Sequence, residues 1–570
     1  MVIESRFSIS IPECSFPQWI FGSCSGPLPD RKAWIDAEDP SRFITFRSAR
    51  LLAKRIAVGL VKHGLEPGDR VLVSAGNSIY FPPLMLGIWM AGGVFTGANP
   101  GYVSRELAHQ LRDSQARIMI AAEASLGVAL EAAKLAGVES SNVFLFDSSV
   151  PGSDGALAAA ATARMGLEHW TTLIAPVEEG DKFEWFEPAD PKEALCTLNY
   201  SSGTTGLPKG VEITHYNQVA NGHSNVHLHK LHPRFKERTS RAAVLCFLPM
   251  FHAYAQGYFV SVFPHEGIPV YVMARFDVDL MLSHVQRFNI TKLLAVPPIW
   301  IALMKHPLAR KIDFSRLEEA SSGAAPMGRE TQRELSGILS PNGHLVFRQG
   351  WGMTEVTCTG LAWEPTQPPA DGVGQLMPNC KARLVDMETG REIREPNTPG
   401  ELWITGPTLM RGYWRNPEAT RHSVLVDVRD GGTRWLCTGD IAYVTPTYSA
   451  GAVFHIVDRA KELIKVRGFQ VSPSELDAVL LEHEGVADVA VVGVTSGDEE
   501  APRAYVVRRD PGLTEKQVHA WVAGRVASYK RLAGGVVFVD AIPKNPSGKV
   551  LRRALRERAR AEVRALGARL

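Results

Sequence analysis

The chain has 570 residues, which is too long for one compact core and predicts several structural units. Its 45% hydrophobic and 21% charged residues lie in the ordinary globular range and exclude disordered and fibrous classes for the body of the chain. A net charge of +2 gives no indication of nucleic-acid binding, and we expect none.

Cysteine usage and the two termini indicate the compartment. The seven cysteines are scattered without a C-x-x-C pair, which argues against a disulfide framework or a cysteine zinc site and favours a reducing compartment. The start, MVIESRFSISIPE, lacks the apolar core of a signal peptide, and no apolar run reaches the roughly 18 residues of a membrane span. The last residues, Ala568, Arg569 and Leu570, have the small-basic-leucine form of a peroxisomal address. We therefore expect a peroxisomal import receptor as a partner, and otherwise a cytoplasmic protein.

The first part of the chain alternates strand and helix patterns. Residues 43–64 begin with a short strand pattern and continue with apolar residues at helical spacing, ending at Gly64. The same reasoning predicts strands over 69–74, 116–121 and 193–199, and helices over 82–91 and 106–114. This alternation predicts parallel sheets covered on both faces by helices. Residues 152–166, rich in Gly and Ala without a period, are predicted to form a surface connection.

The α/β pattern continues and then changes twice. Strands are predicted over 242–248, 270–273, 292–296, 319–321 and 345–348, and helices over 257–263 and 278–288. Short strands separated by Gly, Pro and Asp predict an antiparallel subdomain at about 372–457. A small α+β pattern follows, with helices over 474–482, 515–526 and 551–566 and strands over 486–494, 504–508 and 535–539. The predicted fold is thus α/β, with a large domain over 1–458 and a small α+β domain over 459–570.

The stretch YSSGTTGLPKG, residues 200–210, predicts a phosphate-binding loop. Its glycines allow positive φ and a close backbone approach, its hydroxyls donate hydrogen bonds, and Lys209 supplies a cation. Successive backbone N–H groups in such a turn form an anion-binding concavity. The loop differs from the common P-loop, because Pro208 precedes the lysine and a strand pattern, rather than a helix, follows it.

Six segments in one order carry a family resemblance: YSSGTTGLPKGVEITH, PMFHAY, SSGAAPMG, QGWGMTE, WLCTGD and VDRAKELIKVRGFQVSPSELD, with PKNPSGKVLRR near the end. Together they resemble the adenylate-forming superfamily, most closely coumarate-CoA-ligase-like acyl- and aryl-CoA synthetases, and among these the fungal members. The resemblance covers about residues 40–555. It implies that ATP and Mg²⁺ convert a small-molecule carboxylic acid to an acyl-AMP, with release of pyrophosphate, and that CoA then takes the acyl group as a thioester.

The resemblance assigns most of the nucleotide site to the large domain. Thr354 and Glu355 match positions at the α-phosphate and the metal, and a carboxylate suits a hard cation such as Mg²⁺. Asp440 matches the acceptor of both ribose hydroxyls, with Arg459 near the ribose and phosphate. Trp351 stands where the family has Tyr or Phe stacking on adenine. The remaining implied ATP-binding residues are Ser201, Ser202, Gly203, Thr204, Thr205, Gly206, Lys209, Gly323, Ala324, Ala325, Gln349, Gly350 and Gly352.

The resemblance also implies that the small domain rotates between the two half-reactions. Adenylation must exclude water whereas thioester formation must admit CoA, and a rotating lid meets both demands. Lys549 matches the lysine that bridges the carboxylate and α-phosphate in the first state, and Lys461 matches the hinge. In the second state Lys465 is expected to act at the centre, and the implied CoA-binding residues are Lys465, Gly468, Phe469 and Gln470.

The acid pocket is expected beside His252, whose matched role is positioning rather than general-base catalysis. Its expected walls are Tyr254, Gly257, Ser321 and Val356. Because residues 356–360 differ from the small and apolar pair of plant coumarate ligases, aryl acids and medium-chain fatty acids fit equally well. The alternatives are an adenylation enzyme that loads a carrier protein, more remotely a luciferase-type oxygenase, and an inactive nucleotide-binding scaffold.

Overall fold

A computed structural model describes residues 2–148, 166–201, 208–368, 370–466, 469–496, 499–545 and 548–567. The surface connection predicted at 152–166 falls outside these ranges, apart from Gly166. The elements of the first part are β1 (Ile3–Glu4), α1 (Phe16–Phe21), β2 (Lys32–Asp36), β3 (Phe43–Thr45), α2 (Phe46–Lys62), β4 (Arg70–Ser74), α3 (Phe81–Met90), β5 (Val94–Gly97), α4 (Ser104–Ser114), β6 (Ala116–Ala122), α5 (Leu126–Ala136), β7 (Val143–Phe146), β8 (Glu168–His169), α6 (Val177–Lys182) and β9 (Leu195–Ser201).

The second part continues the large domain to the end of its last parallel strand. Its elements are β10 (Lys209–Thr214), α7 (His215–Lys230), α8 (Phe235–Arg241), β11 (Val244–Cys246), α9 (Ala253–Ala255), a π-helix (Gln256–Val262), α10 (Phe263–Glu266), β12 (Val270–Val272), α11 (Val278–Arg287), β13 (Lys292–Ala295), α12 (Pro297–Lys305), β14 (Glu319–Ser322), α13 (Arg329–Leu339) and β15 (Phe347–Gln349). The helix predicted at 257–263 is thus mostly a π-helix, a form that often occurs at functional sites.

The third part contains the antiparallel unit and the small domain. Its elements are β16 (Trp351–Gly352), β17 (Thr359–Ala362), β18 (Gln375–Leu376), β19 (Lys381–Val385), β20 (Glu392–Ile393), β21 (Gly400–Thr405), β22 (Gly412–Tyr413), α14 (Pro417–Ser423), β23 (Val424–Asp427), β24 (Thr433–Thr445), β25 (Val453–Arg459), β26 (Ile464–Val466), β27 (Phe469–Val471), α15 (Pro473–Leu481), β28 (Val486–Ser496), β29 (Glu499–Arg508), α16 (Glu515–Ala523), β30 (Val536–Phe538) and α17 (Arg552–Gly567).

Two largely parallel sheets form the body of the large domain. One has the order β22-β10-β9-β5-β4-β6-β7-β8 and the other β15-β14-β13-β11-β12-β2-β3. Beside this parallel pairing, β10 is antiparallel to both β9 and the edge strand β22, and the edge strand β3 is antiparallel to β2. Apolar side chains that include Trp34, Trp89 and Phe259 form a continuous core through the large domain.

The predicted α/β architecture is confirmed in its remaining units. The antiparallel sheet has the order β1-β19-β21-β24-β23, with β20 on β19 and β25 on β24. The small domain has the sheet β28-β29-β30 beside α15, α16 and α17, and the separate hairpin β26-β27. None of the described helices is long and apolar enough to cross a membrane.

The two domains pack directly against each other. Lys305 of α12 donates hydrogen bonds from Nζ to the carbonyls of Val486 and Ala487, each at 3.1 Å, at the start of β28. A Cβ added at Gly328 would lie 2.8 Å from the Cβ of Ala478 in α15. These contacts hold one face of the small domain against the carboxyl ends of the strands in the large domain.

Candidate active site

A cavity of about 1090 Å³ lies at the carboxyl ends of β9, β14 and β15, the edge at which open α/β sheets bind ligands. Its lining combines both domains. The large domain contributes residues of the expected nucleotide and acid sites to the lining. The small domain contributes Lys544, Asn545 and Lys549. The cavity therefore brings together the segments that the sequence separates by more than three hundred residues.

The predicted phosphate loop joins two paired strands. Lys209 in β10 pairs with Ser201 in β9, so the two described ends of the loop lie side by side. Ser201 lines the cavity and donates from Oγ to Glu355 Oε1 at 3.2 Å. Lys209 Nζ lies 5.1 Å from the ring centroid of Tyr413. Five expected contacts, Ser202, Gly203, Thr204, Thr205 and Gly206, lie outside the described residues.

Glu355 provides an oxygen for a cation. It lies with Thr354 in a short 3-10 helix, lines the cavity and is 7% exposed. Its Oε1 accepts from Ser201 and from the Tyr413 hydroxyl at 2.9 Å, whereas Oε2 has no hydrogen-bond partner among the described residues. A carboxylate oxygen beside a phosphate loop fits Mg²⁺, which when bound would neutralise phosphate charge.

The residues expected to form the adenine slot lie at the ends of β14 and β15. Gly323, Ala324, Gln349, Gly350, Trp351 and Gly352 line the cavity, whereas Ala325 does not border it within the described chain. Gln349 clamps the loop after β14, because its side chain accepts from Met327 N at 2.8 Å and donates to Met327 O at 3.1 Å. Gly352 must lack a side chain, since a Cβ there would lie 1.8 Å from the Cys358 carbonyl oxygen.

Asp440 is held by two neighbours. Trp351 Nε1 donates to Asp440 Oδ2 at 2.8 Å, and Arg459 Nε lies 3.2 Å from Oδ1. Arg459 faces Asp440 across β24 and β25. Trp351 and Arg459 line the cavity, and Asp440 lies directly behind them and is 5% exposed. The indole that stands at the adenine position therefore also fixes the carboxylate expected at the ribose.

Lys549 of the small domain enters the cavity near His252. Burial, together with the nearby Arg459 guanidinium, lowers the pKa of Lys549 to about 8. Burial and the Lys549 ammonium lower the pKa of His252 to about 4, so this imidazole is neutral at physiological pH. His252 Nδ1 accepts from Tyr254 N at 3.3 Å, at the start of α9, which fits a positioning role better than proton transfer.

Two of the four expected acid-pocket walls lie at the cavity in this structure. Tyr254 and Ser321 line the cavity, but among the described residues Gly257 and Val356 do not. Val356 is buried in the apolar cluster of the antiparallel unit. A Cβ at Gly257 would meet Cys358 Sγ at 2.8 Å, so Cys358 stands between that glycine and the cavity.

Of the expected CoA residues, Lys465 can be placed relative to the cavity. Lys465 is exposed in β26, its backbone N–H donates to Glu500 Oε2 at 2.9 Å, and it is not part of the described cavity lining. Phe469 and Gln470 belong to β27, and Gly468 falls outside the described residues. Lys461 is exposed just after β25, and its carbonyl accepts from Arg556 at 3.3 Å.

Several cavity residues were not predicted. They include Asn225, His229, Tyr258, Glu319 and Arg348. Tyr413, which donates to Glu355, was not predicted either, and it is not part of the described cavity lining. The positions of the cavity residues on α7, the π-helix, β14 and β15 carry no local motif that could have identified them. Within the described residues, no group of three or more His, Cys, Asp or Glu side chains is placed to hold a metal.

Comparison with known proteins identifies the chain. The family model for AMP-binding enzymes matches residues 25–414, and the model for the AMP-binding enzyme C-terminal domain matches residues 475–549. The chain belongs to the AMP-binding enzyme family. It is 39% identical to the phenylacetyl-CoA ligase epaB of Aspergillus niger, over 98% of this chain and 99% of that one. It is 36% identical to 4-coumarate--CoA ligase-like 9 of Oryza sativa subsp. japonica, over 98% and 95%.

A solved structure agrees with this assignment. ATP-bound MatB from Rhodopseudomonas palustris superposes with a TM-score of 0.76 at 27% identity, covering 95% of this chain and 98% of that one. The protein described here, with 570 residues, is an AMP-forming acid–CoA ligase that uses ATP, Mg²⁺ and CoA. The expected resemblance and reaction are confirmed, and CoA is favoured over a carrier protein as the acceptor.

Proposed function

We propose that the cavity is the site of acyl-adenylate formation and that this structure represents the arrangement of that half-reaction. The observation that carries the proposal is the position of Lys549 in the same cavity as Thr354 and Glu355. An ammonium group there reduces the repulsion between the substrate carboxylate and the α-phosphate as they meet. His252 and Arg459 are proposed to position the two anions.

Ribose and adenine recognition are proposed for Asp440 and Trp351. A carboxylate with two oxygens can accept both ribose hydroxyls, and each oxygen retains a lone pair beside its present partner. The indole face offers stacking for the base. The loop at 201–209 is proposed to hold the outer phosphates.

We propose that thioester formation uses Lys465, Gly468, Phe469 and Gln470 after the small domain rotates about Lys461. The exposed position of Lys465 supports this, because an exposed lysine side chain is available to form a new contact. Rotation exchanges the surface that excludes water for one that admits pantetheine.

The acid is proposed to lie between Tyr254, Ser321 and Cys358. A hydrogen bond joins the Tyr254 side chain to Ser321, and Gly323 lies against the Tyr254 ring, so the tyrosine forms a fixed wall. Similarity to the phenylacetyl- and coumarate-CoA ligases supports aryl acids as the first class to test.

The test is Lys549→Ala, measured separately in both half-reactions. We expect acid-dependent pyrophosphate exchange to fall by about a hundredfold or more, the range reported for lost electrostatic stabilisation. Release of CoA thioester from supplied acyl-AMP should stay within about threefold. Lys530→Ala removes another lysine of the small domain, one that pairs with Glu475 and is not part of the described cavity lining, and it should change neither step. Equal loss of both steps in Lys549→Ala would contradict the assignment.

We also propose peroxisomal localisation through Ala568, Arg569 and Leu570, which lie outside the described residues. The support is the form of the tripeptide alone. Fluorescent fusions that expose the native C-terminus should colocalise with a peroxisomal marker, and deletion of the three residues should leave the fusion in the cytosol with unchanged ligase activity. Retention in peroxisomes after the deletion would contradict this localisation signal.

A further inference from the structure

Asp458 is a buried carboxylate at the end of the large domain that bonds to the small domain. It lies in β25, opposite Ile441 of β24, and is 4% exposed. The Ser472 hydroxyl donates to Asp458 Oδ2 at 2.5 Å, and the backbone N–H of Ser474 donates to the same oxygen at 2.9 Å. Because Ser472 and Ser474 belong to the small domain, these two hydrogen bonds cross the link at Lys461.

The Asp458 carboxylate meets the amino end of a helix. Ser472 is the N-cap of α15, and its Oγ accepts from Glu475 N at 3.2 Å. The N–H groups of a first helical turn have no partner within the helix, and the helix dipole favours a negative charge at that end. Asp458 supplies both an acceptor and a negative charge. The large domain therefore completes the cap of a small-domain helix.

A short series of contacts leads from this cap to Lys549. The Ser474 backbone N–H donates to Asp458, while the Ser474 Oγ accepts from Arg552 Nη2 at 3.3 Å. Arg552 also forms an ion pair with Asp477 of α15 and is 8% exposed. It begins α17, three residues after Lys549. The position of α15 and that of the chain carrying Lys549 are therefore fixed to each other.

The segment that carries Lys549 is also held within the small domain. Lys549 N donates to Asn545 Oδ1, and Asn545 N donates to the Lys549 carbonyl, each at 2.8 Å. Lys549 and α15 should consequently move together when the small domain rotates. A rotation at Lys461 that withdraws Lys549 from the cavity would also turn Ser474 away from Asp458.

We propose that Asp458 is a positioning residue of the adenylation half-reaction. By capping α15 it holds the small domain with Lys549 in the cavity, and its bonds to Ser472 and Ser474 are released when the domain rotates for thioester formation. This inference rests on the proposed function, because it requires Lys549 to act in adenylation. Asp458 is not part of the described cavity lining, so it acts through Lys549 and not on the substrate.

The first variant is Asp458→Asn, which keeps the shape of the side chain and removes its charge. Hydrogen bonds to charged groups are the stronger ones, so acid-dependent pyrophosphate exchange should fall about tenfold. Thioester formation from supplied acyl-AMP does not need this contact, and it should stay within about twofold of the wild-type rate or rise. The KM for ATP should change by less than about threefold, because Asp458 does not touch the nucleotide.

A second variant removes the other end of the same hydrogen bond. Ser472→Gly deletes the hydroxyl that binds Asp458 but preserves capping, because glycine is nearly as good as serine at an N-cap position. Pyrophosphate exchange should fall about threefold or more, with thioester formation maintained, since the Ser474 N–H still bonds to Asp458. The double variant should lose less than the product of the two single losses, because both changes remove one shared interaction.

The matched control is Asp427→Asn. Asp427 also lies in the antiparallel sheet, where it pairs with Arg383, and it is not part of the described cavity lining. This variant removes a carboxylate that belongs to the fold of the large domain. It should leave the ratio of the two half-reaction rates at the wild-type value, whatever its effect on the melting temperature.

Each outcome decides one part of the proposal. Equal losses in both half-reactions, or no loss in a folded Asp458→Asn enzyme, would refute the positioning role of Asp458 alone. If circular dichroism shows that Asp458→Asn is unfolded, Ser472→Gly decides: selective loss of pyrophosphate exchange supports the role, and its absence refutes it. Intact pyrophosphate exchange in Lys549→Ala would instead refute the proposed function, and the role of Asp458 with it.

Discussion

Replacing Trp351 with Phe isolates one hydrogen bond at the nucleotide site. Phenylalanine keeps an aromatic face for stacking but lacks the indole N–H that donates to Asp440 Oδ2 at 2.8 Å. Hydrogen bonds to charged groups contribute about 1.5–3 kcal/mol. Arg459 still holds Oδ1, so we expect about half of this range, roughly 0.8–1.5 kcal/mol, to appear in nucleotide binding. That corresponds to a rise in KM for ATP of about four- to twelvefold.

The assay compares ATP with 3′-deoxy-ATP under saturating acid and CoA. A carboxylate that is no longer oriented should lose part of its preference for the 3′-hydroxyl, so the discrimination between the two nucleotides should fall in Trp351→Phe. The value of kcat should change by less than about threefold, because the substitution leaves Lys549 and His252 unchanged.

The matched control is Trp363→Phe. Trp363 lines the same cavity, but its indole donates to the Gln349 carbonyl at 2.8 Å. This variant removes an indole N–H without changing a partner of Asp440, and it should retain wild-type discrimination between ATP and 3′-deoxy-ATP. Equal discrimination in Trp351→Phe and the wild-type enzyme would refute the coupling between the indole and the ribose site.

Three further predictions concern lysines. Lys549 must be protonated to bridge two anions and its pKa is about 8, so kcat/KM for pyrophosphate exchange should fall as pH rises through about 8. Lys549→Arg should remove this alkaline decline. If the pH profile of Lys549→Arg is the same as that of the wild-type enzyme, the role of Lys549 in the decline is refuted. Lys305→Met removes both hydrogen bonds to β28 and should slow pyrophosphate exchange about three- to tenfold in stopped-flow assays. Thioester formation from acyl-AMP should be unaffected. Equal losses of pyrophosphate exchange and thioester formation would count against an interdomain role of Lys305. Lys465→Ala should slow thioester formation from acyl-AMP and leave pyrophosphate exchange unaffected. Unimpaired CoA transfer would exclude the role proposed for Lys465.

The sequence predicted most of the helices and strands, and it predicted that motif residues in one short segment lie together in the site. Helix α2 begins after Thr45 and the chain turns at Gly64, as its apolar spacing and glycine indicate. Motif residues that cluster in short segments, such as Thr354 with Glu355, also lie together in the cavity. Local sequence sets local conformation, so these features are readable without a structure.

Contacts between distant segments could not be predicted in this way. Val356 and Cys358 show why. The chain turns at Thr357, where φ is +69°, so the Val356 side chain enters the apolar cluster of the antiparallel unit while Cys358 reaches the cavity. Likewise, Tyr413 reaches Glu355 from 58 residues away, and no spacing rule connects them. The pairing of His229 with Glu266 depends on how α7 packs against α10, which periodicity alone does not specify.

Contacts on either side of the link between the domains locate the hinge to within a few residues. Arg459 is held in the large domain by its pairing with Asp440, and Ala460 N donates to Gly439 O at 2.8 Å. Glu462, two residues later, lies 3.6 Å from Arg552 of the small domain. Lys461 stands between a residue fixed to one domain and a residue paired with the other. The small domain can therefore rotate at this link while the strands on either side keep their pairing. Such a rotation would exchange Lys549 for Lys465 at the cavity. This supports the hinge at Lys461 that was proposed from the sequence.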